Sequence, residues 1–152
     1  MTRTQLGPFS LEVPDDWTLS SVILAGPRDD EMPNLLGGKA VRPFQRNLIA
    51  TMEQVDQGET PESYVARQIQ GLYEAGVPRV ESRPAEQVKL ESGLSGLLTE
   101  QVITGAGGEQ VSQLQLVSIK NGVAFTIIAS HLRGQPFKKA RGEFLNMLMS
   151  FA

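Results

Sequence analysis

The chain has 152 residues, which is enough for one domain with its own hydrophobic core. It has no cysteine and one histidine, so disulfides, thiol chemistry and the usual zinc ligand sets are excluded. The formal net charge of −3 argues against a general nucleic-acid or anionic-membrane partner. We expect no metal and no cofactor.

The amino-terminal part of the chain predicts a β-hairpin and then a long loop insertion. Apolar and polar residues alternate over residues 8–13, a pattern typical of a half-buried strand. Residues 14–16, Pro-Asp-Asp, are a turn signal, and residues 17–24 supply the returning strand. Residues 26–46 hold three prolines, three glycines and an acidic run without periodicity, and this composition predicts an irregular insertion. No secretory signal or membrane-spanning stretch is visible, so we expect a cytoplasmic protein.

The middle of the chain predicts a third strand and a helix. The strand covers residues 47–55. Thr60 is a good N-cap, and the proline that follows it suits the first helical position. Gly76 can close the helix in the left-handed conformation. One apolar stripe, with the spacing i, i+4 and i+7, consists of Val65, Ile69 and Leu72.

The carboxy-terminal half predicts four strands that follow one another as a meander and a final helix. The strands cover residues 80–90, 94–104, 109–120 and 123–130. The dipeptide Asn121-Gly122 is the preferred sequence of a two-residue hairpin turn. Pro136 opens the last helix. The fold class is therefore α+β: an antiparallel sheet of about six to seven strands with helices packed on it, forming a single domain over residues 1–152.

The sequence contains few signals of catalytic chemistry. His131 is the only imidazole, and no cysteine or nucleophile-elbow motif accompanies it. Gly37-Gly38-Lys39 is not a phosphate loop, because Pro33 stands where that motif has its first glycine and Ala40 stands where it has Ser or Thr. We therefore expect no enzymatic activity, and an enzyme acting through His131 is the weakest hypothesis.

Glutamines stand among the apolar positions of the predicted elements. On the third strand of the meander, Gln113 and Gln115 share one face with valines and an isoleucine, while leucines occupy the other face. Two interpretations follow. One is a strand with a helix-covered face and a partly wet face. The other is a concave apolar surface that grips a hydrophobic ligand and uses amides to bond its polar groups.

Structural signatures spread over nearly the whole chain carry a family resemblance. They lie at residues 9–17 (FSLEVPDDW), 21–24, 47–49, 60–69 (TPESYVARQI), 112–116 with the Asn121-Gly122 hairpin, and 149–151. Together they resemble the DcrB-like family, whose fold is shared by the PsbP and Mog proteins. Within that family the chain looks most like the Eag-type chaperones of bacterial type VI secretion.

The resemblance implies a non-enzymatic, cytoplasmic and homodimeric chaperone or adaptor. It would bind the hydrophobic amino-terminal transmembrane segments of a secreted effector and keep them soluble for loading, without inserting stably into a membrane. The implied client-binding residues are Val22, Leu24, Gln68, Leu72 and Gln113, with the two glutamines bonding polar groups of the client. For Gln68 a plain solvent-facing position beside the apolar stripe stays open. The alternative function is a PsbP/Mog-like module that binds a folded partner through its loops, in particular the insertion at residues 26–46.

Overall fold

The computed structural model describes residues 2–6, 9–13, 20–25, 34–36, 39–41, 44, 46–76, 81–105 and 108–151, with side chains from residue 44 onward. Within these ranges the strands are β1 (Thr2–Leu6), β2 (Phe9–Val13), β3 (Ser20–Ala25), β4 (Asn34–Leu36), β5 (Lys39–Val41), β6 (Asn47–Gln54), β7 (Glu81–Ser82), β8 (Glu86–Lys89), β9 (Ser95–Thr104), β10 (Gln110–Lys120) and β11 (Val123–Leu132). The helices are α1 (Pro61–Glu74) and α2 (Gln135–Met149).

Seven of the strands form one antiparallel sheet. Its order is β3-β6-β11-β10-β9, and both β7 and β8 pair with the outer edge of β9. The predicted meander is confirmed, because β8, β9, β10 and β11 are consecutive neighbours. Asn121 and Gly122 form the turn between β10 and β11 with φ of 54° and 71°, the left-handed backbone that this dipeptide tolerates. The α+β class is confirmed as well.

Two predictions about strands are wrong, and the insertion contains a short pairing that was not predicted. β2 pairs with β1 rather than with β3, and β3 pairs with β6 at the edge of the large sheet. The insertion at 26–46 is not wholly irregular, since β4 and β5 pair with each other inside it. The strand predicted over 80–90 is split into β7 and β8 around Pro84, whose ring removes a backbone donor from the ladder. The predicted turn at 14–16 lies outside the described residues.

The sequence defines the start of α1 clearly. The Thr60 hydroxyl accepts a hydrogen bond from the Ser63 amide at 3.1 Å, and the Ser63 hydroxyl accepts one from the Thr60 amide at 3.0 Å. This reciprocal pair satisfies two amides that a helix start otherwise leaves open. Gly76 follows the C-cap with φ of +74°, as predicted.

The two helices pack against opposite faces of the sheet. α2 covers one face with Phe137, Ala140, Phe144 and Leu148, which join Leu114, Leu116 and Ala129 of the sheet in the larger core. A smaller core under α1 contains Tyr64, Val65, Leu97, Val117 and Ala124. Neither of these two helices is long and apolar enough to cross a lipid bilayer.

Candidate functional site

Helix α1 covers only part of the sheet face on which it lies. Its buried side chains are Tyr64 and Val65, both in its first half. Ile69 is half-buried, Leu72 is 41% exposed and Tyr73 is 73% exposed. The predicted stripe of Val65, Ile69 and Leu72 therefore loses contact with the protein core toward the carboxy-terminal end of the helix. The sheet residues Ile103, Gln113, Gln115 and Ile128 beneath that end are only half-buried.

The opening is a groove of about 510 Å³ between α1 and the sheet, which we call the α1 groove. Its volume falls in the range of ligand-binding clefts in proteins. Apolar side chains, amides and hydroxyls alternate in its wall and floor. The lining residues are Thr51, Val65, Gln68, Ile69, Gly71, Leu72, Thr99, Gln101, Ile103, Gln113, Gln115, Thr126 and Ile128.

A row of polar side chains crosses the floor of the groove. Gln101, Gln113 and Ser130 are direct cross-strand neighbours on β9, β10 and β11. The Gln101 amide donates to the Gln113 oxygen at 2.9 Å, and the Gln113 amide donates to the Ser130 hydroxyl at 3.0 Å. Because the amides bond to each other, this face can hold glutamines without leaving them unsatisfied.

Other polar groups of the groove, Thr99 and Gln68 among them, make no hydrogen bond with another described residue. The Thr99 side chain is 5% exposed, and its hydroxyl oxygen has no hydrogen-bond partner among the described residues. The Gln68 amide lines the opposite wall, is half-buried and makes no hydrogen bond within the same part of the chain. The Gln68 amide is therefore positioned to bond a polar group of an occupant, whereas the Thr99 hydroxyl oxygen is fully buried beneath the groove surface.

A buried tyrosine anchors the first half of α1. The Tyr64 hydroxyl donates to the Glu53 carboxylate at 2.8 Å. Burial raises the pKa of Tyr64, and the hydrogen bond to Glu53 raises it further. The Arg67 guanidinium lies 5.2 Å from the centre of the Tyr64 ring. These contacts fix the helix at one end while the groove stays open at the other.

Three of the five predicted client-binding residues line the α1 groove: Gln68, Leu72 and Gln113. Gln68 is thus a half-buried groove residue rather than a fully solvent-facing one. Val22 and Leu24 lie on β3, but their side chains are outside the described part of the structure. By register, Val22 pairs with Thr51, which lines the groove, and Leu24 pairs with Ile49.

Sequence reasoning missed several residues of the floor, notably Thr99, Thr126 and Ile128. A signal for the last two was present. A two-residue turn at Asn121-Gly122 places Gln115 opposite Ile128 and Val117 opposite Thr126, as observed. Nothing comparable identifies Thr99, because the loop between β9 and β10 is longer and sets no register by itself.

His131 lies apart from the groove lining, near the end of β11. Its Nδ1 accepts a hydrogen bond from the Leu132 amide at 2.9 Å, and its ring stacks on Phe44 with 6.3 Å between ring centres. Burial lowers the pKa of His131, and the nearby Arg46 lowers it further. Among the described residues, no group of three or more His, Cys, Asp or Glu side chains could hold a metal ion.

Comparisons with known proteins define the fold. No family model matches the chain, and no curated protein matches it either. Among solved structures, it is similar to PA94 of Pseudomonas aeruginosa, a protein of unknown function provisionally assigned as a regulator. The TM-score is 0.63 at 16% identity, over 100% of this chain and 96% of that one. It is also similar to the cyanobacterial PsbP protein CyanoP of Synechocystis sp. PCC 6803. The TM-score is 0.53 at 14% identity, over 98% of this chain and 89% of that one. The chain therefore has a PsbP-like fold.

Proposed function

We propose that the protein is a non-enzymatic chaperone or adaptor of the DcrB-like, Eag-type class. It would bind a hydrophobic amino-terminal helix of a type VI secretion effector and keep that helix soluble until loading. The observation that carries the proposal is the α1 groove, where apolar side chains of the helix face half-buried residues of the sheet. The sequence resemblance and the PsbP-like fold are consistent with this assignment.

The chemistry of the groove suits a mostly apolar helix with few polar groups. Val65, Ile69, Leu72 and Ile128 offer apolar surface, and each Å² removed from water contributes about 25 cal/mol. A transmembrane helix in water exposes far more apolar surface than a soluble protein tolerates. Helices with small residues allow the close backbone approach that a narrow groove requires.

The dimensions of the groove support a homodimer. The α1 residues that line the groove lie within 65–72 and extend about 12 Å, whereas a bilayer-spanning helix of about 20 residues extends about 30 Å. One groove would therefore cover only part of such a client. A second copy of the chain would shield the remainder, and a cytoplasmic location would place the dimer where effectors await export.

One observation favours a second candidate function, a PsbP-like module that binds a folded partner through a loop. Strands β4 and β5 pair with each other and with no strand of the seven-stranded sheet. They form a hairpin within the insertion at 26–46, and such a hairpin is a suitable contact element.

The two functions are separated by changing the groove and the insertion independently. A tagged chain is used to capture partners from the native host, which are identified by mass spectrometry. If the groove binds the client, Val22→Asp and Leu24→Asp abolish capture of proteins with apolar amino-terminal helices, and truncating those helices does the same. Replacement of residues 26–46 by a short linker then has little effect.

The opposite pattern would support the loop module. In that case the linker variant loses its partners, and the two aspartate variants keep them while remaining folded. Circular dichroism and thermal unfolding of every variant provide the folding control. Capture that is unaffected by all three changes would contradict both functions.

A further inference from the structure

A second cleft lies beside the amino-terminal end of α2, apart from the α1 groove. Its volume is about 500 Å³, and β7, β9, β10 and the start of α2 contribute to its wall. The side chains that define its chemistry are Arg83, Ser112, Arg133, Lys138 and Arg141, together with two glutamates. We call it the α2 cleft.

The α2 cleft is positively charged in a chain whose formal net charge is −3. Among the described residues, four cationic side chains line it, whereas two carboxylates do, those of Glu81 and Glu100. Two positive charges are therefore uncompensated within a small volume. Because like charges gathered in one cleft repel one another, an anion with two negative charges would complement this site.

The glutamates hold the guanidinium groups in place. One nitrogen of the Arg133 guanidinium donates to Glu81 at 2.6 Å, and another donates to Gln110 at 2.7 Å. Arg141 donates to one oxygen of Glu100 through two nitrogens at 3.1 and 3.0 Å. Arginine side chains paired in this way are already ordered, so little of their conformational entropy would be lost when a ligand bonds to their remaining donors.

Neutral donors point to the same ligand chemistry. Ser112 is 6% exposed and lines the cleft, and its hydroxyl makes no hydrogen bond within the described part of the chain. The N-cap Gly134 supplies no side-chain bond to α2, and the first turn of α2 holds no acidic residue. No side chain of that turn therefore bonds the first backbone amides of α2 or offsets the positive end of its dipole. Lys138, in the same turn, forms no ion pair with a described carboxylate.

From this arrangement we propose that the α2 cleft binds a phosphate monoester. A phosphate dianion matches the two uncompensated charges, and its oxygens can accept bonds from guanidinium, ammonium, hydroxyl and helix-amide donors together. A single carboxylate offers one charge and two oxygens, so it would satisfy the site less completely. The phosphate belongs either to a soluble ester or to a lipid headgroup. This inference is independent of the function proposed for the α1 groove.

The test is a heteronuclear NMR titration of the full chain with glycerol 3-phosphate, with acetate as the single-carboxylate comparison. The expected result is saturable shifts of the amides of Ser112, Gly134, Gln135, Phe137 and Lys138, with tighter binding of the phosphate. Lys138→Gln should weaken binding about fivefold or more, because it removes a charge from the cleft. Lys139→Gln is the matched control, since Lys139 is the next residue on α2 but does not line the cleft, and it should change affinity less than twofold.

A parallel experiment uses phosphatidylcholine vesicles with and without phosphatidic acid. Binding of the soluble ester supports a soluble ligand. Binding only to the phosphatidic acid vesicles, weakened by Lys138→Gln and not by Lys139→Gln, supports a lipid headgroup. The proposal is overturned if neither probe saturates up to roughly 50 mM phosphate, or if both lysine variants lose affinity equally.

Discussion

Leu72 provides a direct test of the α1 groove, because it lines the groove and is still 41% exposed. Burying a leucine side chain completely contributes about 1.5–3 kcal/mol, so covering the exposed fraction with a client helix would contribute about 0.6–1.2 kcal/mol. Leu72→Asp removes this contribution and adds the larger cost of desolvating a carboxylate without a partner. We expect a total loss above about 3 kcal/mol, which is more than a hundredfold in affinity.

The same substitution should leave the fold nearly intact. Leu72 lies in the last turn of α1 and is exposed, so its contribution to the core is small. An aspartate there opposes the helix dipole by less than about 1 kcal/mol. Tyr73→Asp is the matched control, since it introduces the same charge on the same turn at a residue that is 73% exposed and does not line the groove.

Affinity can be measured by fluorescence anisotropy with a labelled synthetic helix of about 20 apolar residues, with a central G-x-x-x-G and flanking lysines for solubility. Thermal unfolding of each variant reports stability. The reasoning is refuted if Leu72→Asp binds this peptide as tightly as the unchanged protein does. It is equally refuted if Tyr73→Asp loses as much affinity as Leu72→Asp.

Two further variants test individual polar groups. Gln68→Ala should weaken binding about fivefold for a peptide with one central serine and leave binding of an all-apolar peptide unaffected. Gln70→Ala is the control, because Gln70 does not line the groove. Equal effects of the two substitutions would contradict the role of Gln68 in bonding a polar group of the client. Tyr64→Phe should lower the free energy of unfolding by about 1–2 kcal/mol at neutral pH, because the hydrogen bond to Glu53 is lost. The pKa of Tyr64 is raised from its ordinary value of 10.0, so the unfolded chain ionises first and stability falls as the pH rises above that value. Urea unfolding at several pH values should show that the fall in stability at high pH is absent in Tyr64→Phe and still present in Tyr73→Phe. If Tyr64→Phe keeps the pH dependence of the unchanged protein, this assignment of the effect to Tyr64 is contradicted.

Local signals in the sequence predicted the elements whose geometry they determine. Thr60 and the proline after it define the start of α1 because a helix start needs a side-chain acceptor and tolerates a missing amide. Asn121-Gly122 determines both the β10–β11 hairpin and its register, because only such residues readily adopt positive φ at both turn positions. That register places Ile128 opposite Gln115 and Thr126 opposite Val117, which forms much of the groove floor.

Strand partnership was not predictable in the amino-terminal part. A turn signal at residues 14–16 indicates where the chain changes direction, yet it does not determine which strand the next segment joins. β3 pairs with β6 across the insertion, and β2 pairs with β1. Such long-range pairing depends on the burial of a whole face, and alternation within one strand carries no information about its neighbour.

The openness of the groove was also not predictable from periodicity. The stripe of Val65, Ile69 and Leu72 is regular, and regular stripes usually become fully buried. Here Tyr64 occupies the core beside Val65 and bonds to Glu53, which fixes the first half of α1. The second half then extends past the small core, and its apolar residues are left to line a groove. A polar tip on a buried aromatic residue thus determines where the open surface lies.

The polar floor suggests how the groove would select its occupant. Gln101, Gln113 and Ser130 hydrogen-bond to one another. An apolar helix can therefore cover this row without leaving the amides of the two glutamines without a partner. Gln68 makes no hydrogen bond with another described residue, so a single polar group on the occupant would gain a partner there. A strongly polar helix would gain nothing from the remaining apolar wall and would lose its hydration. The groove should therefore favour helices that are apolar enough to need shielding in water and that carry one or two small polar residues near their centre.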